Sequence, residues 1–194
     1  MPMARLTAWS ACLALLGALA SAKKDRVSLH DAAEMGDIAM IRTLIAETDA
    51  SSAINAEDNN TRTPLHLAAR AGHAEAITIL VAAGASLEAQ ADKDATPLHM
   101  AAQEGHAEAI RALVAAGALV EAVGLGNATP LHVAAANGQV EAISALVEAG
   151  ASTEAQAAGK VTPLQIASQS GHVEAIKVFA ALALKKHKRN KREL

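Results

Sequence analysis

Seven of the eight histidines fall at regular places: His30, His66, His99 and His132 form one series, and His73, His106 and His172 a second. Imidazole ligates metals and moves protons near neutral pH, so such a ladder is the first feature with chemical potential. Its spacing argues against a shared ion. His66, His99 and His132 recur every 33 residues, and stacked helical units lie about 10 Å apart, too far for equivalent rings to meet at one metal. The carboxylates Glu75, Glu108, Glu141 and Glu174 recur at the same interval. Each falls just inside an expected helix start, where a negative charge complements the helix dipole.

Nothing else in the chain has the form of a reaction centre. No nucleophile elbow, phosphate loop or metalloprotease pattern occurs, and Gly124-Leu125-Gly126 lacks the preceding strand and the further glycine of a dinucleotide site. Cys12 is the single cysteine, so neither an intramolecular disulfide nor a cysteine zinc site can form. No catalytic residue, metal ligand or cofactor is therefore expected.

The elements that carry the histidines follow from one repeated unit. Thr-Pro-Leu-His occurs at residues 63, 96 and 129 and returns as Thr-Pro-Leu-Gln at 162. Thr63 is a good N-cap, Pro64 suits the first helical position, and Leu65, Ala68 and Ala69 share a face, which predicts a helix from about Pro64 to Ala71. Gly72 supplies a left-handed stop, and a second helix runs from His73-Ala74-Glu75 to about Ala83, closed by Gly84. Ile77, Leu80 and Val81 form its buried stripe, as do Ile110, Leu113 and Val114, then Ile143, Leu146 and Val147. Helices this short fall below the roughly 12 to 15 residues needed for independent stability, so each unit requires its neighbours. Ala-rich faces and a near absence of aromatic residues (one Phe, one Trp, no Tyr) imply closely packed helices.

Thr-Pro-Leu-His-x-Ala-Ala, then Gly-His, then Ala-Gly-Ala resembles the ankyrin repeat. The resemblance implies an all-α solenoid of helix-turn-helix units joined by hairpin-like loops, with units at 62–94, 95–127, 128–160 and 161–184. A divergent first unit at 27–61 lacks the Thr-Pro and carries a three-residue insertion, as a capping unit would. The resemblance also implies a structural hydrogen-bond network over Thr63/His66, Thr96/His99 and Thr129/His132. The family usually places Gly two residues before the Thr, where this chain has Thr61, Asp94, Asn127 and Lys160. Asp94 and Asn127 tolerate left-handed backbone, whereas Thr61 and Lys160 are expected to mark looser turns. The Asn that follows Ala-Gly-Ala in the family survives only as Asn55, with Glu88, Glu121 and Glu154 elsewhere.

By the same resemblance, ankyrin proteins bind protein partners on the concave face of hairpins and first helices. The side chains free to vary there are Arg62, Arg70, Lys93, Asp94, Gln103, Glu104, Asn127, Asn137, Lys160 and Gln169. That set lacks the Trp and Tyr that usually anchor hot spots, so a polar interface of modest affinity is expected.

Charge and the two ends add the remaining expectations. Residues 23–184 carry 10 Lys+Arg against 19 Asp+Glu, a net of −9, which argues against nucleic acid as the solenoid's ligand. The segment 185–194 reverses the sign with six basic residues and one acid. It reads as a basic, disordered tail that could touch an anionic surface, and Lys191-Arg192-Glu193-Leu194 resembles an endoplasmic-reticulum retention signal with Arg192 in place of an acid. Residues 6–22 carry no charge, follow Arg5, and end in Ala18-Leu19-Ala20 and Ala20-Ser21-Ala22. The segment 1–22 thus reads as a secretory signal peptide, with an uncleaved anchor or a capping helix as its alternatives.

The sequence therefore describes a non-enzymatic, monomeric protein-binding scaffold in the secretory pathway (endoplasmic reticulum lumen or secreted) or the bacterial periplasm. Two alternatives stand beside it. One is a structural or protective accessory to a neighbouring secreted enzyme; the other is a cytosolic or nuclear adaptor, if the N-terminal segment is not a signal.

Overall fold

The computed structural model describes residues 27–47 and 53–190. The segment 1–22 and the Lys191-Arg192-Glu193-Leu194 end lie outside the described residues. Among the described residues ten α-helices follow one another in pairs: α1 (Leu29–Met35) with α2 (Ile38–Glu47), α3 (Pro64–Ala71) with α4 (Ala74–Ala82), and α5 (Pro97–Glu104) with α6 (Ala107–Ala115). The series continues with α7 (Pro130–Ala136) and α8 (Val140–Glu148), then α9 (Pro163–Gln169) and α10 (Val173–Asn190). The odd-numbered helices pack on one another as an inner layer and the even-numbered ones as an outer layer, which is the all-α solenoid expected.

The start and stop of each pair obey local rules. Thr63, Thr96, Thr129 and Thr162 are extended N-caps followed by Pro, a position that needs no amide donor. Gly72 ends α3 at φ +81°, its N–H bonded to the last carbonyls. A side chain there would meet more than backbone strain. A Cβ on Gly72 would lie 2.7 Å from the His106 ring of the next unit, so both the left-handed backbone and the close approach require glycine.

One core runs the length of the stack. Leu65, Ile77, Leu80, Ile110, Leu113, Leu131, Ile143 and Leu146 are fully buried, with Ala68, Ala101 and Ala134 between the inner helices. The predicted stripe is corrected at one place: Val81, Val114 and Val147 are only half-buried and pack on the edge of the core. Towards the C-terminal end Leu164 is 42% exposed, whereas the equivalent Leu131 is fully buried beneath unit 161–184.

Two further expectations change. Thr61 (φ 57°) and Lys160 (φ 61°) are as left-handed as Asp94 (φ 56°) and Asn127 (φ 58°), so none of the four turns is looser. The backbone tolerates them because each loop is closed by a hydrogen bond: Asp58 N–H to Arg62 O, Ala91 to Ala95, Gly124 to Ala128 and Ala157 to Val161, at 2.9–3.0 Å. In the last three loops a second residue, Lys93, Gly126 or Gly159, is left-handed as well, so two turns do use glycine, one place earlier than expected. Finally, α10 continues six residues into the segment read as a disordered tail, with helical backbone to Asn190.

Candidate functional site: the concave hollow

The histidines hold the stack together through both ring nitrogens. In unit 62–94 the backbone N–H of Thr63 donates to His66 Nδ1 (3.1 Å), and Thr63 Oγ1 lies 2.9 Å from the same nitrogen. That arrangement is a capping box with His in the place usually taken by Glu or Gln. Across the unit boundary His66 Nε2 lies 3.0 Å from Ala95 O. A carbonyl only accepts and an amide only donates, so Nε2 carries the proton and the ring is neutral. His99 repeats this with Thr96 and Ala128 O, and His132 with Thr129 and Val161 O. Burial pushes all three imidazoles below their usual range, against the opposing pull of the bonded carbonyls. With both nitrogens engaged, these rings have no free valence for a metal or a substrate.

The second histidine series works in the reverse direction. His73 Nε2 lies 3.0 Å from Glu34 O and His172 Nε2 2.9 Å from Ala136 O, each in the preceding unit, and Gln139 does the same to Gln103 O at 3.0 Å. A third ladder escaped the sequence reading altogether. Asn55 accepts from Ser86 N–H (2.8 Å) and donates to Gly84 O (3.2 Å), while Glu88 accepts from Leu119 N–H (2.8 Å) and Glu121 from Ser152 N–H (2.7 Å). Each partner lies 31 residues on, or 29 for the glycine. The recurrence of one polar residue after Ala-Gly-Ala was the only signal available for it.

With the repeated polar groups committed to the stack, the surface left to a partner is the one the hairpins and inner helices enclose. A hollow of about 460 Å³ opens there, from Asn60 at the end of unit 27–61 across to unit 128–160. It gathers five of the ten residues nominated from sequence: Arg62, Arg70, Lys93, Gln103 and Glu104. Asp94, Asn127 and Lys160 lie exposed on hairpin tips outside it, Asn137 ends α7 with its amide on Val133 O (2.8 Å), and Gln169 is exposed on α9. Sequence reading missed the apolar contribution of Met100, Val133 and Leu125. Met100 and Val133 occupy the variable place in Thr-Pro-Leu-His-x-Ala-Ala, which was a usable signal; Leu125, on a hairpin tip, had none.

Two of the cations are already paired. Arg62 meets Asp58 at 2.6 Å, and Arg70 meets Glu34 of the first unit. Burial raises the Asp58 carboxyl, but hydrogen bonds from the Arg62 side chain and from the Arg62 and Asn60 amides, with the Arg62 charge, outweigh it and hold the group at about 2. Lys93 makes no ion pair among the described residues. The hollow is thus an apolar floor inside a rim of mixed charge, without a concentration of either sign.

The family model described as ankyrin repeats, in three copies, matches residues 29–124 and again 116–190. The chain belongs to the ankyrin repeat family. Comparison with curated proteins finds no match. Ankyrin repeats are protein-interaction modules, generally without catalytic activity, and the uses found above for the Thr and His residues of this ankyrin chain are consistent with that role.

Proposed function

We propose that this ankyrin chain is a protein-binding scaffold that takes its partner in the concave hollow, after delivery to a secretory compartment or the periplasm. The carrying observation is Leu125. It is 63% exposed on a hairpin tip at the mouth of a hollow whose floor includes Met100 and Val133. An exposed leucine above apolar side chains offers burial to a partner, and Arg62, Arg70, Lys93, Gln103 and Glu104 around it supply orientation. The uncharged segment 6–22 ending in small residues supports delivery.

Photo-crosslinkers at Gln103, in the hollow, and at Thr78, on an outer helix, test the binding face in the full chain. The hollow should capture a partner that Thr78 does not, and Leu125→Asp and Arg70→Glu should weaken that capture, the first at unchanged melting temperature. Capture of the same proteins from both positions, unaffected by either substitution, would overturn the assignment. N-terminal sequencing of the purified protein tests delivery: a start at Ser21 or Lys23 supports it, and an intact Met1 in cytosol or nucleus refutes it.

A further inference from the structure

Asn59-Asn60-Thr61 is an Asn-x-Thr acceptor sequence for N-linked glycosylation. A second copy of that pattern, Asn127-Ala128-Thr129, lies on the hairpin two units further along. The two differ in what the fold does with the hydroxyl that the transferase must read. Thr129 is buried, with Oγ1 held 2.8 Å from His132 Nδ1, and the intervening Ala128 O accepts from His99 Nε2. Modification of Asn127 would therefore have to precede formation of the Thr129–His132 cap and of the His99–Ala128 link between units. At the first site Asn59, Asn60 and Thr61 are all exposed on the hairpin tip. The Asn59 carboxamide makes no hydrogen bond among the described residues, and the Thr61 hydroxyl makes one local bond, to Asn60 O at 2.7 Å. The loop is closed beneath them, by Asp58 N–H to Arg62 O and by the Asp58–Arg62 ion pair, so a large group on the Asn59 side chain leaves both closing contacts in place.

We infer that Asn59 is an N-glycosylation site, the glycan standing on the first hairpin tip beside Asn60, which lines the hollow. The inference rests on the secretory delivery proposed above. In the reaction, Asn59 Nδ2 bonds to the anomeric carbon of an oligosaccharide carried on a polyprenyl pyrophosphate. The bond from that carbon to the pyrophosphate oxygen breaks, its electron pair leaves with the lipid pyrophosphate, and Nδ2 gives up one proton to a base of the transferase. The host transferase and lipid-linked sugar supply everything but the acceptor. A glycan there would add a bulky, solubilising group at one lip of the hollow, restricting partners to approach from the side of units 95–127 and 128–160.

The full chain expressed in glycosylating eukaryotic cells tests this in two forms, one with its own residues 1–22 and one with these replaced by a leader established to reach the endoplasmic reticulum. Intact mass before and after an N-glycan amidase, with peptide mapping across residue 59, is the readout. The established-leader form should carry a glycan on Asn59 that is absent in Asn59→Gln and Thr61→Ala, retained in Thr61→Ser, and unchanged by Asn127→Gln. A delivered chain with bare Asn59 overturns the site. An unglycosylated own-leader form beside a glycosylated established-leader form supports the site and refutes the delivery reading alone.

Discussion

His66 is tied to Ala95 of the next repeat by a 3.0 Å hydrogen bond from Nε2 to the carbonyl oxygen, while its Nδ1 accepts from Thr63 within its own repeat. One neutral ring therefore caps a helix and fixes the hairpin 29 residues away. Replacing it with Ala opens a cavity and strands buried backbone groups, so His66→Ala should cost about 2–4 kcal/mol in urea unfolding. Gln165 stands at the equivalent place in unit 161–184, exposed, its oxygen accepting, among the described residues, only from Thr162 N–H at 2.9 Å. Gln165→Ala should cost less than about 1 kcal/mol. Equal losses at the two positions would show that the link between repeats contributes nothing.

The same rings make stability depend on pH. Burial holds His66, His99 and His132 below the ordinary value of 6.5, so as pH falls through 6.5 the unfolded chain takes up protons that the folded chain refuses. The contribution is fully present above 6.5 and declines as pH falls below it towards the folded values, at up to about 1.4 kcal/mol per pH unit for each ring. Denaturation midpoints at pH 7.5, 6.5 and 5.5 should fall in that order. The fall should be shallower in a His132→Gln variant, and an unchanged midpoint across the series would refute neutral, buried rings.

Gly72 and Gly117 separate two reasons for glycine. Both are left-handed, at φ +81° and +101°, but a Cβ on Gly72 would meet the His106 ring at 2.7 Å and one on Gly117 would meet none of the described residues within 4 Å. Gly117→Ala carries only the backbone term of about 1–2 kcal/mol. Gly72→Ala should cost more, because the ring must also shift, and thermal melts of the two variants side by side decide it.

Much of this was legible in the chain because ankyrin units repeat their local rules. Thr63-Pro64 and Gly72 mark helix ends through contacts within a few residues, and α3 runs from Pro64 to Ala71 as predicted. The links between units were less legible. Glu88 and Leu119 are 31 residues apart, and no periodicity says which backbone amide a side chain will reach. Lys93, Thr61 and Lys160 adopt left-handed backbone against their intrinsic preference because the hairpin closes around them. The hollow was half visible: its polar rim could be nominated from variation between units, but the projection of Leu125 depends on a turn whose geometry only the assembled stack sets.

The third ladder contains its own experiment. Asn55 makes two bonds to the following unit, accepting from Ser86 N–H and donating to Gly84 O. Glu88 and Glu121 keep the first, to Leu119 and Ser152, but a carboxylate cannot donate to the equivalent Gly117 O and Gly150 O. Asparagine at these places would restore the second bond, order one fewer side-chain rotor, and remove negative charge from a body that already has a net of −9 over residues 23–184. The charge-assisted bond that is lost is exposed to solvent and so weakly stabilising. Glu88→Asn with Glu121→Asn should therefore stabilise the chain by about 1 kcal/mol in total, read as a raised urea midpoint at unchanged slope. Glu88→Ala, which supplies neither bond, should lower it. If the Asn pair lowers the midpoint as far as Ala does, the donor to the glycine carbonyl is not what holds Asn55 in place.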